Sequence, residues 1–91
     1  MARAENIAVV RALLRSEFPD HTVEDKAGPE FDHSFWVTGG SELHRLTLTH
    51  ELLDDSTVEE FTRLLGAVHL AEYVRAGRGH PVVLGRAGYL K

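Results

Sequence analysis

The sequence predicts a two-layer α+β domain, in which helical segments flank a three-stranded antiparallel meander. Three observations favour this class. Residues 3–18 carry apolar side chains at helical spacing, residues 33–51 alternate at strand spacing around a Gly-Gly pair, and residues 56–76 open with a helix-start signal. The chain has 91 residues, 43% of them hydrophobic, which is enough for one core, and residues 1–91 are interpreted as a single domain.

The first predicted element is a helix from about Arg3 to Phe18. Its apolar residues recur at steps of three and four: Ile7, Val10, Leu14 and Phe18. Pro19 disfavours helical geometry at Phe18, so the helix should end there.

A short strand from His21 to Lys26 should follow, with Val23 as its one strong apolar residue. A single apolar position is typical of an edge strand. The residues Ala27-Gly28-Pro29-Glu30 are turn formers, and they should connect this strand to a hairpin.

The hairpin lies in the segment from His33 to Glu51. Strand alternation places Phe35 and Val37 on the same face as Leu46 and Leu48 only if odd positions pair with even ones. A two-residue Gly39-Gly40 turn would set Val37 against Glu42 on the buried side, so we predict the longer, four-residue loop from Gly39 to Glu42. The resulting cross-strand pairs are Phe35 with Leu46, Val37 with His44, His33 with Leu48 and Trp36 with Arg45.

A helix-start signal follows in Ser56-Thr57-Val58-Glu59, which fits a capping box with Ser56 as the N-cap and Glu59 as its partner. The apolar stripe that follows consists of Val58, Phe61, Leu64, Leu65 and Val68. A straight continuation would bring Glu72 into this stripe and turn Leu70 away from it. The sequence therefore predicts a kink or break between residues 66 and 69.

The C-terminal segment contains one β-like run, Pro81 to Leu84, which could add a last strand. In element order the chain is similar to the double-stranded RNA-binding domain. That family has a Lys-rich start to its last helix, whereas Asp54, Asp55, Glu59 and Glu60 occupy the corresponding segment here. The resemblance therefore concerns topology, and it implies no RNA-binding role.

The charge is unevenly distributed along the chain. Residues 17–60 hold twelve acids against two bases, whereas residues 61–91 hold five bases against one acid. An acidic middle argues against a general phosphate-binding surface, because such binding needs clustered Lys and Arg. The chain has no cysteine, and it has neither an apolar run of membrane length nor the pattern of a signal peptide near Met1. We expect a cytoplasmic protein without a membrane segment.

Metal, cofactor and catalytic sites are not predicted. His44 and His50 share a strand face but lie roughly 20 Å apart in an extended chain. His21 and His33 could approach each other across strands near Asp25. The serines lack the sequence context of a nucleophile, and the acidic residues are explained by a helix start. We expect no enzyme activity, no cofactor and no bound metal.

Trp36 is the strongest candidate for an interaction residue, since alternation places it away from the core and next to Arg45. The candidate interaction residues are Trp36, Arg45, Thr47, Arg75 and Arg78. Two interpretations of Trp36 remain open. Either Val82, Val83 and Tyr89 cover it as a second small core, or another molecule does.

The favoured function is a non-catalytic protein-interaction module that binds a protein partner or a second copy of itself. The alternative is a nucleic-acid-associated accessory protein that uses Trp36, Arg45 and the basic C-terminal third. A weaker third hypothesis is an enzyme or ligand-binding domain whose site is completed by another chain.

Overall fold

The computed structural model describes residues 3–28, 30–77, 80–86 and 88–90. Helix α1 (Arg3–Glu17) is followed by strands β1 (Thr22–Ala27), β2 (His33–Gly39) and β3 (Glu42–Leu48). Helices α2 (His50–Asp55), α3 (Val58–Ala67) and α4 (Leu70–Ala76) come next, and strands β4 (Val82–Gly85) and β5 (Gly88–Leu90) complete the order. The α+β class and the antiparallel meander are confirmed.

The five strands form one sheet in the order β1-β2-β3-β4-β5. Strands β1 to β3 are antiparallel, as predicted, and β1 is an edge strand. Strand β4 pairs with β3 in parallel, and β5 returns antiparallel to β4. The C-terminal segment therefore adds two strands, where the sequence predicted at most one.

The hairpin register agrees with the prediction at every pair. Phe35 lies opposite Leu46 and Val37 opposite His44. The connection is tighter than predicted, because Gly39 and Glu42 still pair and only Gly40-Ser41 form the turn. Gly40 adopts a φ of 57°, a left-handed conformation that glycine takes without a steric penalty.

The helices cover one face of the sheet and enclose the core with it. The side chains of Val10, Leu14, Phe35, Leu48 and Phe61 are fully buried. Leu52, Leu53, Leu70, Val74, Val82 and Leu84 belong to the same cluster. Both halves of the chain therefore contribute to one core.

Helix α2 was not predicted. It starts after Thr49, whose side chain accepts a hydrogen bond from the Leu52 amide, and it buries Leu52 and Leu53. The buried side chain of Asn6 donates to the carbonyls of Leu53 and Ser56, both at 3.1 Å. These bonds tie α1 to the end of α2.

The predicted capping box is wrong by one residue. Thr57 is the N-cap of α3, and it exchanges hydrogen bonds with Glu60 at 3.2 and 3.0 Å. Ser56 is instead the C-cap of α2. The presence of α2 therefore moves the start of the next helix, because Ser56 is already used by the preceding one.

The predicted helix break is confirmed. Helix α3 ends at Ala67, and His69 adopts φ 50° and ψ 56°, in the left-handed region, before α4 begins. The change in direction buries Leu70 and leaves Glu72 exposed. A straight helix would have placed these two residues the other way round.

Candidate functional site

The helices pack on only one face of the sheet, and the opposite face is the candidate site. This open face is formed by the side chains that alternate away from the core. Its described members are Thr22, Glu24, Lys26, Ser34, Trp36, Thr38, Leu43, Arg45, Thr47 and Val83. Most of them are exposed or partly exposed, so the face is accessible in the monomer.

The central row of the open face consists of Glu24, Trp36 and Arg45 on three adjacent strands. The Arg45 guanidinium carbon lies 5.5 Å from the centroid of the indole ring, as the predicted register requires. Such a cation–π contact contributes about 0.5–1 kcal/mol at an exposed site. Trp36 remains partly exposed. Glu24 on one side and Arg45 on the other place opposite charges beside the indole ring.

A second row holds this part of the sheet in place. The hydroxyls of Ser34 and Thr47 are 2.9 Å apart across strands β2 and β3, and Ser34 is 6% exposed. Lys26 lies beside Ser34, and Val83 lies beside Thr47. A hydrogen-bonded cross-strand pair of this kind stiffens the surface next to Trp36.

Leu43 adds an apolar group at the turn end of the open face. It pairs with Thr38 and is 49% exposed. The register makes Leu43 a diagonal neighbour of Trp36, so it adds exposed apolar surface on the same face as the indole.

Within the described part of the C-terminal segment, the three residues expected to cover Trp36 do not form a second core over it. Strands β4 and β5 extend the sheet sideways, and only Val83 of that predicted cover shares the open face. Val82 is buried in the main core. Tyr89 stacks on Tyr73, with the ring centroids 3.6 Å apart, and donates a hydrogen bond to the Val68 carbonyl.

Burial raises the pKa of the Tyr89 phenol to about 12. The phenol is protonated at neutral pH, and it donates a hydrogen bond to the Val68 carbonyl oxygen, which lies 3.0 Å from the Tyr89 hydroxyl oxygen. Tyr89 therefore acts as an anchor of β5 on the helical layer.

The predicted interaction residues do not form one surface. Trp36, Arg45 and Thr47 share the open face. Arg75 lies on the helical side, where its guanidinium carbon is 4.9 Å from the Phe18 ring centroid and its Nη2 donates to the Glu17 carbonyl at 3.2 Å. Arg78 lies outside the described residues.

Two polar clusters lie on the core side of the sheet. Arg11 makes two hydrogen bonds to the Asp25 carboxylate, at 2.9 and 2.7 Å, and His33 Nε2 lies 2.7 Å from the same group. The Arg11 guanidinium, and then His33, lower the pKa of the Asp25 carboxyl to about 2. This cluster joins α1 to the edge of the sheet.

The second cluster consists of His21, Glu42 and His44, which together could hold a metal ion. It was not predicted: the sequence analysis considered only that His21 could approach His33 near Asp25. The two lie at opposite ends of the β1–β2 ladder, because Ala27 pairs with His33 whereas Thr22 pairs with Thr38. One signal could have pointed to part of this cluster, because Glu42 and His44 alternate onto one strand face. The room that Gly39 leaves for His21 beside them is apparent only from the fold.

Among the described residues, no helix is both long and apolar enough to cross a membrane. Comparisons with protein families, with curated proteins and with solved structures find no significant match to this chain.

Proposed function

We propose that this protein is a non-catalytic interaction module that self-associates through the open face of its sheet. The observation that carries this proposal is the central row of the face. Trp36 stands partly exposed between Glu24 and Arg45, on the face of the sheet opposite the helical layer. Trp and Arg are the residue types most enriched among the energetically dominant residues of protein interfaces.

The charge pattern favours a second copy of the same chain as the occupant. When two identical faces pack against each other, their two-fold axis lies in the plane between them. An axis parallel to β2 at Trp36 reverses the order of the strands. It brings Glu24 of one copy opposite Arg45 of the other, while the two Trp36 rings meet at the centre. The row is therefore complementary to itself.

The size of the face sets the expected strength of association. Strands of about six residues at about 3.3 Å each, spaced about 4.8 Å apart, give a footprint of roughly 20 by 20 Å. That is about 400 Å² in projection, which is below the roughly 800 Å² per partner of a standard stable interface. We expect a weak dimer whose population rises with protein concentration.

The nucleic-acid alternative has less support from the geometry. Stacking of a base on Trp36 would need cations along the path of the backbone, and Arg45 and Lys26 are accompanied by Glu24 on the same face. Arg75 lies on the opposite side of the sheet. The proposed setting is the cytoplasm, which suits a chain without cysteine.

The test is sedimentation of the protein over a wide concentration range in EDTA, together with tryptophan fluorescence. The wild type should shift from monomer to dimer as its emission moves to shorter wavelength. Trp36→Ala should stay monomeric. Tyr73→Ala is the matched control, because Tyr73 is an exposed aromatic residue, 48% accessible, on the helical side.

A charge swap makes the test specific for the proposed geometry. Glu24→Arg and Arg45→Glu should each weaken self-association, because like charges then face each other across the two-fold axis. An equimolar mixture of the two variants should form a heterodimer, since every facing pair is again opposite in charge. A wild type that is monomeric throughout, or a mixture that fails to associate, would refute the proposal. Salt-dependent binding of RNA or DNA that requires Trp36, without dimerisation, would establish the alternative instead.

A further inference from the structure

A cluster of three potential metal ligands lies at the end of the sheet nearest the β2–β3 turn. Glu42 and His44 are two residues apart on β3, so both side chains project from its core-side face. His21 comes just before β1, on the other side of β2. The helical layer ends near this point: His44 is 4% exposed, whereas the Glu42 side chain is 61% exposed.

Gly39 allows His21 to cross β2 and reach the other two residues. Gly39 pairs with Glu42 at the end of the hairpin, and the His21 ring occupies the space where a side chain would otherwise stand. A Cβ atom at Gly39 would lie 2.5 Å from His21 Cδ2 and 2.9 Å from its Nε2. The space above Gly39 is thus filled by an imidazole, and any larger residue would displace it.

The donor atoms of the three residues lie close enough for one ion. One donor atom from each residue falls within 4.8 Å of the others, and His21 Nε2 is 3.1 Å from Glu42 Oε1. Ligands held at about 2.0–2.2 Å from a zinc ion must lie within roughly 4 Å of each other. The remaining adjustment is therefore less than about an ångström for any pair of donor atoms.

The two histidines carry buried nitrogens that lack partners. Nδ1 of His44 and Nδ1 of His21 are inaccessible to solvent and accept or donate no hydrogen bond among the described residues. His33, in the same sheet, is engaged by Asp25 at 2.7 Å. A buried polar atom without a partner is uncommon in a folded protein. An ion could supply the missing partner of His44 Nδ1, whereas His21 faces Glu42 through Nε2, so its Nδ1 lies on the other side of the ring.

Phe18 restricts the orientation of both rings. Its ring lies edge-on to His21 with centroids 5.4 Å apart, and 5.5 Å from the ring of His44. The Arg75 guanidinium carbon lies 4.9 Å from the centroid of the Phe18 ring and contributes to its packing. Two imidazoles that are oriented by packing lose little freedom when they bind an ion, which increases affinity.

We propose that His21, Glu42 and His44 bind a divalent first-row transition ion, with Zn²⁺ as the preferred occupant. Two imidazoles and one carboxylate form a donor set that suits Zn²⁺, whereas Ca²⁺ and Mg²⁺ prefer sites made of oxygen atoms. Three protein ligands leave a fourth position open on the side of Glu42. The ion would join the start of β1 to β3 across the intervening strand.

The proposal is tested by titrating the full chain with Zn²⁺ in a calorimeter and with Co²⁺ by visible absorption. We expect one ion per chain and cobalt bands of the intensity typical of four-coordinate sites. His21→Ala and Glu42→Gln should each lower the affinity by tenfold or more. Both residues lie at the margin of the core, so these variants should fold, and circular dichroism checks that they do.

Gly39→Ala provides the most specific variant, because it leaves all three ligands in the chain and displaces only the His21 ring. It should weaken binding about as much as His21→Ala. His50→Ala is the matched control, since His50 is exposed and lies outside the cluster. In melting experiments Zn²⁺ should raise the Tm of the wild type and of His50→Ala, with little effect on Gly39→Ala.

Three results would overturn the proposal. The first is that neither Zn²⁺ nor Co²⁺ binds the wild type. The second is that His21→Ala and Glu42→Gln both bind the ion with unchanged affinity. The third is that His50→Ala loses binding. In the first two cases, the cluster is a hydrogen-bonded His–Glu pair and nothing more. The measurements are made at concentrations where the protein is monomeric, so they stand apart from the test of self-association.

Discussion

The Arg11–Asp25–His33 cluster should control how the protein responds to acid. Asp25 accepts both bonds of the Arg11 fork and lies 2.7 Å from His33, and its side chain is only 15% exposed. These contacts favour the ionised carboxylate, so the folded state holds the proton less tightly than the unfolded chain does. Asp25→Asn removes the titrating group while keeping a side chain of similar size.

The magnitude follows from the two pKa values. The pKa of the Asp25 carboxyl falls from 3.8 to about 2 on folding, chiefly because of the hydrogen bonds from Arg11. Since one pKa unit corresponds to about 1.4 kcal/mol, the ionised form contributes about 2 kcal/mol of stability. This contribution is fully present above about pH 5. It is lost as the pH falls toward 2, because the unfolded state takes up the proton first.

The assay is urea denaturation of the wild type and Asp25→Asn at several pH values between 6 and 2. The free energy of unfolding should differ by about 2 kcal/mol at pH 6, and most of that difference should vanish by pH 2. Asp54→Asn is the control, because the Arg3–Asp54 ion pair is exposed and should contribute little. A difference between wild type and Asp25→Asn that stays constant with pH would refute the role assigned to the Asp25 charge.

Four further substitutions test the helical layer by thermal or urea denaturation. Thr57→Ala should cost about 1 kcal/mol because it removes the N-cap of α3, whereas Ser56→Ala, whose side chain caps nothing, should cost less than about 0.5 kcal/mol. An equal cost for both would contradict the assigned cap. Phe61→Ala should cost about 3–5 kcal/mol, since the ring is fully buried, and a stable variant would show that the core readily collapses around the gap. His69→Gly should be tolerated, with a gain of up to about 1 kcal/mol, because His69 has a φ of 50°; clear destabilisation would argue for a role of the imidazole.

Much of the sheet could be predicted because alternation leaves few options. Phe35 and Leu46 had to share the core face, and the loop from Gly39 to Glu42 then fixed the β2–β3 register, including the pairing of Trp36 with Arg45. The helix break could be predicted for a similar reason, since a straight helix would bring the charged Glu72 into the apolar stripe and turn Leu70 away from it. In each case a single periodicity decided the outcome.

Two kinds of feature could not be predicted. In one, two neighbouring residues fit the same helix-start signal; in the other, a site depends on a glycine that has no side chain. Ser56 and Thr57 are each followed three residues later by a glutamate, so both fit a capping box, and only α2 decides between them. Helix α2 itself has six residues, too few to show a helical period. The His21, Glu42 and His44 cluster depends on the absence of a side chain at Gly39, which no pattern of donor residues reveals.

The parallel pairing of β3 with β4 has a consequence for the order of folding. Leu48 ends β3 and Val82 starts β4, so the two strands can align only after the intervening helices have carried the chain back. The β1–β2–β3 meander, in contrast, closes through short local turns. The loop-closure entropy of the long crossover must be overcome first, so we expect β4 and β5 to dock late. Until then β3 has an unpaired edge, and the nascent protein is most exposed to strand exchange with its neighbours at that edge.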